Sequence, residues 1–194
     1  MSANVWFEEV NTGLLNELRN TVKIKDANGL LVSLKDDSFM VRKPEEDFKL
    51  ESYPCVSIYN LDYKHDPFRY NPSPVVVAQD IENSVVTLEE SAVPFNLFYQ
   101  IDFWAEYQTD MDCMTMTWLK KHFRQFNLVV VDDGGTERTC NCLMKGSVVK
   151  SDLVLNGERL YHSLIKLLIW VELDDEIRYN KPIAGNRNIG VQQT

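Results

Sequence analysis

Hydrophobic and polar positions change period inside one continuous stretch of the chain. Leu97, Tyr99, Ile101, Phe103 and Ala105 alternate with Phe98, Gln100, Asp102 and Trp104, and then Met111, Met114, Trp118 and Leu119 fall on a single helical face. The switch predicts a strand that feeds a helix over residues 110–123. Thr109 is placed to cap that helix, with Asp112 three residues later as a weak capping box and Asp110 set favourably against the helix dipole.

The remaining elements follow from the same reading. Val10, Leu14, Leu15, Leu18 and Val22 keep helical spacing, with Glu8 and Glu9 near the positive end of the dipole, which predicts a helix over residues 5–21. Asp26, Asn28 and Gly29 make a turn before short strands at 30–34 and 38–41. Residues 53–59 alternate as a core strand. Pro67, Pro72 and Pro74 then exclude a central strand, so residues 60–94 read as a surface excursion, with 75–77 and 85–88 paired in a small hairpin. After the second helix, 128–131 and 138–144 form a hairpin around the turn 132–135.

A long strand at 159–173 comes next, entered through Asn156 and Gly157. It has apolar residues on both faces, one carrying Tyr161, Ile165, Leu167, Ile169 and Val171, the other Leu160, Leu164, Leu168 and Trp170. An antiparallel strand with one wet face would alternate more cleanly. Both faces are therefore expected to be covered, one by helices and the other by a loop or a second subunit. Together these elements predict an α+β fold, mainly an antiparallel sheet flanked by two helices, as one domain over residues 1–175. Residues 176–194 are too polar to build a core and read as an extended C-terminal arm, with Ile177, Tyr179 and Ile183 among its anchors. Leu160, Leu164, Leu168, Trp170, Ile177, Tyr179 and Ile183 are thus the candidate interface residues.

Composition narrows the function by exclusion. A net charge of −9 over 194 residues disfavours a nucleic-acid binder, which would need cations to displace counterions from phosphates. No apolar run reaches the roughly 20 residues that a membrane helix needs, and residues 1–20 lack the pattern of a signal peptide, so a cytoplasmic protein is expected. The four cysteines are too scattered for a disulfide scaffold. Cys140 and Cys142 share a strand face, yet a structural zinc site usually shows two ligand pairs, so they read as small residues on a hairpin. Asp132 and Asp133 belong to a turn, and His65, His122 and His162 lack any motif with a nucleophile or metal. Tyr99, Phe103, Trp104 and Trp118 are expected in the core. No catalytic residue, metal or cofactor is expected.

In the order helix, short strands, Tyr53-Pro54-Cys55-Val56-Ser57-Ile58-Tyr59-Asn60, a proline-bearing excursion, then Pro94-Phe95-Asn96-Leu97-Phe98-Tyr99-Gln100-Ile101-Asp102-Phe103-Trp104 leading into a helix, the chain resembles tail terminator and related neck proteins of tailed bacteriophages. The likeness spans roughly residues 5–173. It implies a sheet flanked by helices and a structural virion protein, assembled in the host cytoplasm. The implied assembly is a hexameric ring that caps the tail tube protein and meets the head-side connector, with DNA passing through unbound. Acidic subunits suit that passage, since they repel phosphates. A head-to-tail adaptor, completion or baseplate protein of the same virion is the alternative. A small enzyme or ligand-binding domain with a site built from scattered residues is a third reading.

Overall fold

A computed structural model describes residues 3–42, 52–71, 73–80, 85–89, 92–131, 135–155, 158–173 and 178–182. The first amphipathic segment forms helix α1 (Ala3–Thr21), which buries Val10, Leu14 and Leu18 completely. Strands β1 (Lys23–Lys25) and β2 (Leu31–Ser33) make an antiparallel hairpin. Its turn is shaped by the Asp26 carboxylate, which accepts from the backbone N–H groups of Asn28 and Leu30, and by Gly29 at φ 79°. Strand β3 (Phe39–Val41) follows a single 3-10 turn, and β4 (Cys55–His65) runs parallel to it.

Strands β5 (Val75–Asp80) and β6 (Val85–Glu89) lead to β7 (Val93–Ala105) and helix α2 (Gln108–Lys121), the strand and helix expected from the period switch. Then come β8 (Gln125–Val131), β9 (Glu137–Leu155), β10 (Glu158–Leu173) and β11 (Arg178–Pro182). Six strands form one sheet in the order β3-β4-β7-β10-β9-β8, with β8, β9 and β10 successively antiparallel. The fold is therefore α+β, with two helices and mainly antiparallel strands.

One face of this sheet makes the core. Val56 and Ile58, the odd-numbered residues of β7 from Leu97 to Ala105, Ile165, Leu167, Ile169 and Val171 on β10, Cys140 and Cys142, and Phe126, Leu128 and Val130 all pack with α1 and with Met111, Met114 and Trp118 of α2. Both helices thus cover the same face, and removal of this apolar surface from water drives the fold at about 25 cal/mol per Å². At Gly13 helix α1 comes close to β8, because a Cβ there would stand 2.8 Å from the Val129 carbonyl oxygen.

Three local expectations are corrected. Helix α2 is preceded by Tyr107 in extended conformation without a side-chain cap, so Thr109 lies inside the first turn instead of capping it. β4 continues six residues past Tyr59, into the expected excursion, with exposed side chains from Leu61 to His65. β9 continues eleven residues past Met144. The pairing with β10 shifts register opposite Leu164–Lys166, where Gly146 adopts φ 78°, and this bulge hides the strand's continuity from a simple alternation count.

Contacts within the chain gather into two units, residues 1–64 with 95–171, and residues 65–94 with 172–194. In the second unit β5, β6 and β11 form an antiparallel sheet ordered β11-β6-β5. The segment expected as an excursion and residues 178–182 of the expected arm therefore share a sheet. No apolar pattern announces this, because the pairing rests on backbone hydrogen bonds. Ahead of it, Asp66 orders a turn by accepting from the backbone N–H of Phe68 and from the Arg69 guanidinium at 2.9 Å.

Candidate functional site

The two faces of β7 differ in chemistry. Its odd-numbered residues enter the core, where the Tyr99 hydroxyl donates to Asn11 Oδ1 at 2.9 Å and burial pushes the phenol up to about 12. Its even-numbered residues Gln100, Asp102 and Trp104 turn to the face away from the helices. They meet His162 of β10, which in turn lies opposite Ser151 of β9.

A continuous polar chain results. His162 Nε2 lies 2.8 Å from Asp102 Oδ1, and Ser151 Oγ lies 3.1 Å from His162 Nδ1. The Gln100 amide donates to both carboxylate oxygens, at 2.8 and 3.1 Å. In its Nε2–H tautomer the neutral imidazole donates to Asp102 while its Nδ1 accepts from Ser151. Trp104 stacks on the imidazole with ring centroids 4.0 Å apart. Asp102 is wholly buried and Trp104 nearly so, while Ser151 is half-buried.

Hydroxyl, imidazole and carboxylate in this order match the arrangement of a base-activated nucleophile. Their setting suits a fixed cross-link better: the carboxylate is sealed, the ring is clamped under an indole, and all three groups stand within regular strands. A satisfied buried network of this kind specifies which residues face each other across β7, β10 and β9. The spacing of the histidines along the chain gave no sign of this cluster, since its members lie 11 and 60 positions apart.

A second cluster joins the ends of the two helices. Glu17 Oε1 of α1 meets Lys121 Nζ at 2.7 Å and His122 Nε2 at 2.9 Å, and Thr21 Oγ1 stands 3.4 Å from the same imidazole nitrogen. His122 is buried between Trp118 and Phe126, whose rings lie 4.3 and 4.2 Å away. Burial opposes charge on Glu17, but the hydrogen bond and charge of Lys121, with His122 and Thr21, outweigh it and hold the carboxyl below its ordinary range. Burial likewise disfavours charge on His122 and, with Lys121 adding to it, outweighs the attraction of Glu17, so the imidazole titrates below its ordinary value.

The expected interface residues divide. Leu160, Leu164, Leu168 and Trp170 share the β10 face turned away from the helices, as expected, where Leu160 and Leu168 are buried and Leu164 and Trp170 are half-buried. Tyr179 lies in β11 opposite Leu88 of β6, while Ile177 and Ile183 lie outside the described residues, as do Asp132 and Asp133 of the expected turn.

Cys140 and Cys142 stand on β9 of the β8–β9 hairpin, on the face that packs into the core. Burial pushes the Cys142 thiol far up, with Cys140 and Glu17 adding to the effect. Among the described residues no cluster of three or more His, Cys, Asp or Glu is arranged to hold a metal ion, and no helix is long and apolar enough to cross a membrane. Neither a family model nor a characterised protein sequence matches the chain.

Proposed function

We propose that this chain is a structural virion protein, a tail terminator whose copies form a ring, hexameric by the resemblance, that caps the tail tube and joins it to the head-side connector. The observation that carries this reading is the architecture built from the segments on which the resemblance rests. The N-terminal helix, the strand beginning at Cys55 and the strand-to-helix unit of β7 and α2 enclose one core on one face of a six-stranded sheet. The net charge of −9 suits a channel that DNA crosses without sticking. On this reading the polar chain from Ser151 to Asp102 is structural and no catalysis takes place. Electron microscopy of the purified protein, alone and mixed with tail tubes, tests it: rings or capped tubes are expected, and isolated monomers with bare tubes in both samples would contradict it.

A second reading, a small hydrolase, draws on the order of Ser151, His162 and Asp102. A fluorophosphonate probe separates the two. Covalent modification of Ser151 that disappears in Ser151→Ala would favour the hydrolase, whereas an unmodified serine is expected of the structural protein.

A further inference from the structure

We propose that His122 is an acid-released latch between α1 and α2: protonation drives its imidazole out from between Trp118 and Phe126 and unfastens the helix ends while the sheet stays folded. The inference is independent of the virion reading and rests on the geometry of the pocket. One carboxylate oxygen, Glu17 Oε1, already faces Lys121 Nζ at 2.7 Å as well as His122 Nε2 at 2.9 Å. A charged imidazolium would place a second cation on the oxygen that serves the first. Its other nitrogen, Nδ1, is buried with no hydrogen-bond partner among the described residues, so an added proton there has no acceptor.

The surroundings offer little relief. The charged and titratable groups that face the ring are Glu17 of α1 and Lys121 beside it, with Thr21 as a neutral hydroxyl. Among the described residues β8 contributes the Phe126 ring, and β9 contributes near Glu17 the thiol of Cys142, which burial keeps neutral. The position is also mechanically suited to release. His122 is the first residue after α2, its backbone N–H bonded to the Trp118 carbonyl at 2.9 Å, so the ring can swing outward without breaking a helix interior.

The direction of the pH dependence follows from linkage. A histidine whose folded value lies below its unfolded value of about 6.5 contributes stability that is complete above that pH and lost as pH falls through the folded value. Glu17, also depressed, loses its contribution only at lower pH, below its model-peptide range near 4.5. The histidine contribution therefore begins to fade at a higher pH than that of Glu17.

NMR titration of the three histidine rings in the wild-type protein tests the latch directly, with far-UV circular dichroism recorded over the same pH range. The His122 ring should titrate with a midpoint below about 6.5, together with resonances of Thr21 and Trp118, while the far-UV signal holds. In His122→Phe the changes at Thr21 and Trp118 should disappear; if that variant does not fold, the wild-type titration decides alone. A midpoint at or above the ordinary value, a loss of far-UV signal in step with the His122 transition, or an unchanged transition at Trp118 in a folded His122→Phe would overturn the proposal.

Discussion

Asp102 Oδ1 accepts from His162 Nε2 at 2.8 Å across neighbouring strands, on the sheet face opposite the helices. The carboxylate is completely buried, so the bond stands where an unpaired group is expensive. Replacing Asp102 by alanine would strand the imidazole and the Gln100 amide together. The expected loss is about 2–4 kcal/mol in urea unfolding, in the range for breaking a buried charged partner. Asp102→Asn should cost less, because its amide oxygen still accepts from His162, and equal losses in the two variants would show that the network depends on the carboxylate charge and not on an acceptor alone.

Gly13 carries a prediction whose sign depends on magnitude. In an open helix, glycine to alanine gains roughly 1 kcal/mol. Here the new methyl would meet the Val129 carbonyl oxygen at 2.8 Å and Val130 Cγ2 at 3.3 Å. Backbone must move, and overpacking of this kind costs about 1–3 kcal/mol. Gly13→Ala should therefore lower the melting temperature, and a higher one would mean that α1 and β8 are not in close contact.

Cys142 lies within the core and contacts no water, so size and polarity both matter there. Cys142→Ser buries a hydroxyl whose desolvation costs about 1–3 kcal/mol. Cys142→Ala should be the milder change. Chemical denaturation of both variants checks the order, and a serine variant as stable as wild type would place the side chain in contact with solvent.

Removal of residues 178–194 deletes β11 from its pairing with β6 and leaves β5 and β6 as a two-stranded ribbon, which is marginal in water. Amide exchange in β6 should accelerate at least tenfold, with exchange in β7 and β10 unchanged. Unaltered protection in β6 would show that β11 contributes nothing to that sheet.

Local rules reached the elements whose side chains themselves carry the information. Leu97 to Ala105 and Met111 to Trp118 display their periods openly because one side of each faces the core. Val75 to Val77 and Val85 to Leu88 were readable as paired from their runs of β-branched residues and the short connection between them. β9 was legible only to Met144, since Gly146 introduces a bulge and the residues beyond it alternate poorly. β11 was hidden in a polar segment because backbone bonding to β6 leaves no apolar signature. The Ser151, His162 and Asp102 chain was out of reach for another reason: it exists only once β9, β10 and β7 lie side by side, and no spacing along the sequence encodes their order. The Glu17 and His122 contact likewise joins residues that only helix packing brings together.

Mass photometry of the purified protein, alone and with tail tube protein, tests the assembly claim most directly. The account predicts a discrete species at about six times the 22.5 kDa chain, formed alone or on the tube. A single species at the mass of one chain in both samples, with no binding to the tube, would contradict it.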